Sequence, residues 1–366
     1  MKNKILFITP LPPPVHGSSM MSQYIKESKL INDTFDCDFI NLSTSRKMDE
    51  IGKMSLAKVW RFCSSYFLLI GKLLFRRYDL CYLAITCHGI GFLKDAPFVL
   101  ICKLFRKKVV IHQHNKGMSG YVDKPFYKWL LPFVYRKTHV ILLSWKLYPD
   151  IERVVSKEQV LICPNGIPEV WDEKPLFNRN NNIPKLLFLS NLIESKGVLV
   201  LLDACHILKE KSCLFTCEFV GGETKEINKE DMQREIDKRG LNEIVSYVGS
   251  KYKEEKREVL KRADIFIFPT FYINETFGLV NLEAMQYGLP IISTDVGGIT
   301  DIVIDGETGL ICKTRDAEDL ANKIKLLLDN PSLRQQYGQA GYDRFVANYT
   351  LERFEACMSA CLSIIA

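Results

Sequence analysis

Two glutamates, Glu275 and Glu283, stand with seven residues between them in the stretch NETFGLVNLEAMQYG, which runs from Asn274 to Gly288. The preceding run Ile265–Phe268 reads as a strand that ends in a turn at Pro269-Thr270, and a helix is predicted from Gly278. Thr276 is a suitable N-cap, and Gly278 lets another group approach the backbone closely. The first N–H groups of such a helix, at Gly278, Leu279 and Val280, have no partner inside it and carry the positive end of its dipole. They suit an anion such as a diphosphate. Carboxylates beside that site would repel a bare phosphate. They make sense for a diphosphate with hydroxyl-rich groups at both ends, one glutamate taking sugar hydroxyls and the other the two hydroxyls of a ribose. A ribose–diphosphate–sugar is a nucleotide sugar. Taken alone, the pair reads as readily as a loop carboxylate and an ordinary helix acid.

The elements that position these residues follow from hydrophobic periodicity. Short β-rich runs at Ile5–Thr9, Cys37–Asn41, Leu80–Ile85, Val109–His112 and Val140–Leu143 alternate with helical segments near 18–30, 55–76, 89–105, 122–136 and 146–155. After Pro164-Asn165-Gly166-Ile167-Pro168 and a polar linker the alternation restarts. Strands are predicted at Lys185–Ser190, Leu214–Val220, Ile244–Val248, Ile265–Phe268, Pro290–Ser293 and Gly309–Cys312. Helices are predicted near 197–210, 228–239, 253–262, 278–287, 316–329, 331–345 and 350–364. Such alternation implies α/β architecture with two doubly wound parallel sheets and a ligand cleft between them. The domains are placed at 1–172, 173–345 and a terminal helix, 346–366.

At 366 residues the chain is too long for one ordinary core. The apolar run Ile5–Thr9 is too short for a signal-peptide core, so a cytoplasmic location is expected. Twelve scattered cysteines contain no C-x-x-C pair, which favours reduced, packed thiols. The net charge of +6 hides an asymmetry: residues 1–170 carry 25 Lys and Arg against 13 Asp and Glu, and the remainder 24 against 30. The N-terminal half is therefore expected to meet something anionic.

The motif text as a whole resembles glycosyltransferase family 4, the retaining transferases of GT-B fold. The resemblance rests on Pro269-Thr270, Glu275-x-Phe277-Gly278-Leu279, Glu283-Ala284-Met285-x-x-Gly288-x-Pro290, Asp295-Val296-Gly297-Gly298 and Asp305-Gly306-x-x-Gly309. It implies a donor site in which Glu275 orients the sugar and Glu283 holds the ribose, with Phe277, Gly278, Leu279 and Val280 at the diphosphate. Lys196, in Ser195-Lys196-Gly197, matches the family's diphosphate lysine. Asn191 stands where the family has an arginine. Gly221 and Gly249 look like the base-binding and ribose-binding turns, or are plain turns. Gly17, within Pro10–Ser19, takes the place of a Gly-rich loop facing the cleft. His114 matches the family histidine that faces the donor sugar, and His112 alternates onto the same strand face. The resemblance implies retention at the anomeric carbon, no cofactor and no required metal. Asp36-Cys37-Asp38 mimics the metal motif of another transferase fold and reads as structural.

The stretch Ile51–Tyr78 holds Lys53, Lys58, Arg61, Lys72, Arg76 and Arg77 and no acid. It reads either as an interfacial helix on anionic lipid or as a packed helix with a solvated basic edge. No nucleic-acid module is recognisable, so nucleic acid is not an expected partner. In the family, basic N-terminal domains often accompany lipid-linked acceptors. The expected partners are thus a nucleotide sugar, taken as a UDP-sugar over a GDP-sugar on family frequency, a lipid-linked saccharide in polysaccharide biosynthesis, and the inner face of the plasma membrane. Two rivals remain: a sugar-nucleotide epimerase of the same architecture, and a non-catalytic nucleotide-sugar-binding protein.

Overall fold

The structure, a computed structural model, describes residues 2–43, 56–170, 175–179 and 181–366. The chain divides into two units, Met1–Asn165 with Leu351–Ala366, and Gly166–Thr350.

The first unit runs β1 (Lys4–Thr9), α1 (Gly17–Glu27), α2 (Lys29–Thr34), β2 (Asp36–Asn41), α3 (Leu56–Phe75), β3 (Leu80–Leu83), α4 (Gly89–Leu104), β4 (Lys108–Gln113), α5 (Pro125–Tyr135), β5 (His139–Leu142) and β6 (Val160–Ile162). The second runs β7 (Lys185–Leu189), α6 (Val198–Glu210), β8 (Thr216–Val220), α7 (Lys229–Lys238), β9 (Val245–Tyr247), α8 (Lys253–Arg262), β10 (Ile265–Phe268), α9 (Leu279–Met285), β11 (Ile291–Thr294), α10 (Ile299–Ile302), β12 (Gly309–Cys312), α11 (Ala317–Asp329) and α12 (Pro331–Asn348). A last helix, α13 (Leu351–Ile365), returns to the first unit.

Each unit holds one six-stranded parallel sheet, in the orders β2-β1-β3-β4-β5-β6 and β12-β11-β10-β7-β8-β9. Their central strands are continuous apolar runs, as burial on both faces demands; β10, Ile265–Phe268, is buried at every position. Strand order reverses between β1 and β3 in the first sheet and between β7 and β10 in the second. With right-handed crossovers, α1 and α2 lie on one face of the first sheet and α3, α4 and α5 on the other. Accordingly α13 packs on α1 and α2, while α4 packs between α3 and α5.

Several expectations are corrected. The helix predicted over 18–30 is two, broken at Ser28, whose extended ψ of 118° caps α2 through its hydroxyl. The segment near 146–155 is a short 3-10 helix, Trp145–Asp150, because Pro149 cannot donate to a continuing ladder. Strand β6 and helix α10 are additions. The basic stretch at 51–78 is described only from 56. There Lys72 and Arg76 grip Asp38 at 2.6 and 3.2 Å, and Tyr78 donates to the same carboxylate at 2.5 Å. Burial alone would raise the pKa of Asp38, but the hydrogen bonds from Lys72 and Tyr78 hold it below the usual carboxylate range. Asp38 is thus structural, and two of the six cations are committed to the fold. All twelve cysteines are free.

The first unit depends on α13. Phe354, Met358, Leu362 and Ile365 enter the same buried cluster as Ile5, Phe7 and Met21, and Lys108 Nζ holds the last carbonyls of the chain. Replacing Phe354 with Ala should cost about 3–5 kcal/mol through lost burial and the cavity left behind. Urea unfolding would check this; a loss below about 1 kcal/mol would show that α13 is dispensable to this core.

Candidate active site

In the second unit the loops after β7 and β10 meet at the sheet's reversal point. The Phe271 N–H donates to the Ser195 carbonyl at 2.8 Å, and the Thr270 hydroxyl reaches the same oxygen at 3.3 Å. Lys196 closes a short 3-10 turn, Glu194–Lys196, and its Nζ lies 2.5 Å from Glu275 Oε2. The side chains are only 16% and 11% exposed. The ammonium also lies 4.5 Å from the centroid of the Tyr272 ring. Two residues separated by 79 positions therefore form one buried ion pair.

The backbone of Glu275 is held from below by Asp295-Val296-Gly297-Gly298. The Gly298 N–H donates to the Thr276 carbonyl at 2.7 Å, and a Cβ at Gly297 would stand 2.4 Å from the Glu275 carbonyl oxygen. With φ of +61°, Gly297 is required twice over, by conformation and by space. The N-cap of α9 is Gly278, at φ +68°, and not Thr276, so the helix begins at Leu279 with no side-chain cap. Phe277 is buried and meets the Tyr349 ring edge-on, which makes it an anchor for the turn; Leu279 and Val280 are half-buried.

Glu283 lies in the second turn of α9. Its Oε1 accepts from Lys256 Nζ of α8 at 2.6 Å, and its Oε2 is buried with no hydrogen-bond partner among the described residues. Asn191 Oδ1 accepts the Gly222 N–H at 3.1 Å, so this side chain braces the turn after β8 and supplies no charge. That turn is tight: a Cβ at Gly221 would stand 1.8 Å from the Ser190 carbonyl oxygen. The Gly221 N–H donates to the Gly249 carbonyl at 3.0 Å, tying the ends of β8 and β9 together.

In the first unit the reversal point lies between β1 and β3. A cavity of about 280 Å³ opens there, lined by His16, Ser18, Thr86, Lys94, Asp95 and His114 among others. Gly17 is the first residue of α1, whose N-cap is His16; the imidazole accepts the Ser19 N–H at 3.3 Å. Burial lowers the pKa of His16. His112 sits in the interior with its Nδ1 2.5 Å from the Tyr82 hydroxyl, whereas His114 lines the cavity. Their rings stand 3.9 Å apart. Burial, with a smaller contribution from His16, pushes the His114 pKa down to about 3. His114 is therefore a neutral imidazole, able to donate or accept a hydrogen bond but not to act as a cation. Among the described residues no group of three or more His, Cys, Asp or Glu is arranged to hold a metal.

Sequence reasoning missed four participants. Lys256 is one lysine in a charged helix, and only the fold brings it to Glu283. Asn281 is fully buried beside Gly278, with both side-chain amide atoms unpartnered among the described residues; its signal was a polar residue between the apolar Val280 and Leu282. Asp95 is buried in the first cavity and accepts the Thr86 N–H at 2.9 Å. Asp150 accepts the N–H groups of Gly117, Met118 and Ser119 and so fixes the loop after His114.

Residues 169–344 match the family model of the glycosyl transferases group 1. That match spans nearly all of the second unit, which belongs to this family. The chain is 31% identical over 274 residues to the glycogen synthase of Mycobacterium tuberculosis, across 72% of this chain and 64% of that protein, so it spans less than two thirds of that relative's length. In structure it is similar to sucrose-phosphate synthase from Thermosynechococcus elongatus, with a TM-score of 0.75 and 19% identity over 99% of each chain. It is also similar to Anabaena HepE in complex with UDP and glucose, with a TM-score of 0.72 and 16% identity over 99% of each chain. The fold is that of the GT-B glycosyltransferases.

Two outcomes test this geometry. Lys196→Met leaves the Glu275 carboxylate buried without its cation and should destabilise the second unit by about 3 kcal/mol; adding Glu275→Leu should restore most of that loss. Melting of the single and double variants checks it, and a double variant no more stable than the single would refute a mutual pairing. For His114, the folded state excludes a proton that the unfolded chain accepts below the ordinary value of 6.5. Stability is therefore full above that value and falls as pH drops toward about 3, by about 1.4 kcal/mol per pH unit. Between about pH 7 and about pH 5 the wild type should lose about 2 kcal/mol more than His114→Gln. Equal losses would mean that His114 titrates normally.

Proposed function

We propose that the chain is a retaining glycosyltransferase that moves a hexosyl unit from a UDP-sugar to a hydroxyl of a lipid-linked saccharide. The observation that carries this reading is the constellation at the second reversal point: the Lys196–Glu275 pair, and the unpartnered Glu283 Oε2 on the far side of Gly278. A donor diphosphate would draw Lys196 toward its oxygens and release Glu275 for the sugar hydroxyls. Glu283 Oε2 is an open acceptor for a ribose hydroxyl. The leaving diphosphate would be stabilised by Lys196 and by the backbone N–H groups after Gly278.

The first unit's cavity suits the acceptor. Asp95, Lys94, Ser18 and neutral His114 offer acceptors and donors for saccharide hydroxyls in a space of about 280 Å³. The acceptor hydroxyl would attack the anomeric carbon on the face the diphosphate leaves, and its proton would pass to a diphosphate oxygen. The C–O bond to the diphosphate breaks as the new C–O bond forms, so the anomeric configuration is kept. In that account the donor's diphosphate takes the proton, residues of this chain bind and orient the two substrates, and no metal is invoked. The choice of UDP draws support from the Anabaena relative's complex with UDP and glucose. The lipid-linked acceptor draws support from the cationic, aromatic surface of the first unit. A peripheral position on the inner face of the plasma membrane follows from that acceptor.

The test is a panel of UDP- and GDP-sugars incubated with and without membrane lipid extract, reading released nucleotide and labelled lipid. Label on lipid from a UDP-sugar is expected. Lys196→Ala should lower kcat by roughly 100- to 1000-fold. Glu283→Gln should weaken UDP binding by roughly 10- to 100-fold through loss of a charged hydrogen bond. Label on a soluble glucan alone would reject the lipid acceptor, and an epimerised donor independent of lipid would replace the transferase with an epimerase.

A further inference from the structure

The cation surplus of the first half is not spread around the first unit. Residues 56–137 carry 15 Lys and Arg against three acids, Asp79, Asp95 and Asp123. This segment supplies α3, α4 and α5, which share one face of the sheet. No acid occurs between Ala96 and Lys108 or between Lys124 and Lys137.

That same layer exposes large apolar groups. On α5, Phe126, Trp129 and Phe133 recur at helical spacing and are 56%, 64% and 54% exposed. The Trp129 and Phe133 rings stack at 5.7 Å, and the Phe126 ring lies 6.4 Å from Trp129. Between α4 and α5 runs an open groove of about 990 Å³, lined by the apolar Leu100, Leu104 and Phe133 and by the cations Arg106, Arg136 and Lys137. Lys103 and Lys107 are spent on the fold: Lys103 Nζ donates to the carbonyls of Phe133, Val134 and Arg136, and Lys107 Nζ to that of Tyr78. The rim cations differ. Arg106, Arg136 and Lys137 are exposed, and none has a side-chain partner among the described residues.

We propose that the α4–α5 face docks on a bilayer containing anionic phospholipid, with Phe126, Trp129 and Phe133 in the interfacial zone and Arg106, Arg136 and Lys137 on the lipid phosphates. The inference deepens the reading of a lipid-linked acceptor and, in its purpose, rests on it. The occupant is chosen by chemistry. An aromatic row flanked by aliphatic side chains and by cations without acids matches the boundary between headgroup and acyl chain. No helix among the described residues is long and apolar enough to cross a membrane, so contact here is from the surface. A nucleic acid would use the cations but leave Leu100 and Leu104 facing water. A partner protein would need a patch combining acids with apolar side chains.

The test is co-sedimentation of the full chain with phosphatidylcholine vesicles, with and without phosphatidylglycerol. Binding is expected only with phosphatidylglycerol and should weaken as salt is raised. Arg136→Gln with Lys137→Gln should weaken it roughly 25-fold, at a few-fold per cation, and Trp129→Ala with Phe133→Ala at least 10-fold. Both pairs should keep the wild-type melting temperature and the rate of donor hydrolysis without acceptor, since no substituted residue belongs to the donor site. Vesicle binding that ignores phosphatidylglycerol, or survives both pairs of substitutions, overturns the proposal. So does an oligonucleotide that displaces the vesicles at equal phosphate, or a concentration-dependent dimer abolished by the same substitutions. Failure here is distinguishable from failure of the transferase reading: sugar transfer without vesicle binding rejects only this surface, and vesicle binding without transfer rejects only the activity.

Discussion

One topological constraint governs both units. Where neighbouring parallel strands send their connections to opposite sides, no helix can cover the carboxyl ends of those two strands. The reversal lies between β1 and β3 in one sheet and between β7 and β10 in the other. The loops that leave those four strands carry His16 and Gly17, Thr86, Lys196 and Glu275. His16 and Thr86 are far apart in sequence, as are Lys196 and Glu275, and each of these pairs is brought together by strand order. The 2.5 Å contact between Lys196 and Glu275 spans 79 residues and depends on β7 pairing directly with β10.

The space left at a reversal point must be lined without collapsing, and the chain uses backbone proximity to do it. Gly221 approaches the Ser190 carbonyl so closely that no Cβ fits, and Gly297 does the same under Glu275. These contacts fix the loops that carry Asn191 and Glu275. Asp150 performs the equivalent task in the first unit, gathering three successive N–H groups after β4. The result is a set of polar side chains held in place before any ligand arrives. That arrangement reduces the ordering cost of binding.

What could be read from the sequence follows from how local each feature is. The β10–α9 text carries its own turn, glycine and carboxylates, so Glu275, Gly278 and Glu283 were legible as a group. The alternation of strand and helix was legible because each buried strand is an apolar run. Three-residue β6 and four-residue α10 are too short for periodicity to register. Lys256 and Asp95 were invisible for a different reason: each is one charged residue in a helix, and its meaning lies wholly in what another element places opposite it. The choice between His112 and His114 was open because alternate strand residues share a face. Burial separates them, since His112 is spent on Tyr82 while His114 reaches a cavity. Asn191 shows the limit of motif transfer. Its amide oxygen holds the Gly222 N–H, a task that needs an acceptor, and an arginine at the same position has none to offer.

Handedness also explains why a diffuse excess of lysine and arginine becomes a surface. Right-handed crossovers force α3, α4 and α5 onto a single face, while α1, α2 and α13 take the other. The second group is sealed by Phe354, Met358, Leu362 and Ile365 from the end of the chain. Among the described residues of the first unit, no later helix packs over the first group's outer side. Its exposed tryptophan and phenylalanines are therefore not residues the core failed to reach: α5 already buries Leu130, Leu131 and Val134 on its inner side. A helix that is apolar on both faces, with cations at its end and no acids along it, is solvated poorly by water alone. The energetic cost of that outer face is what a lipid interface would remove, and no interior packing of the unit accounts for it.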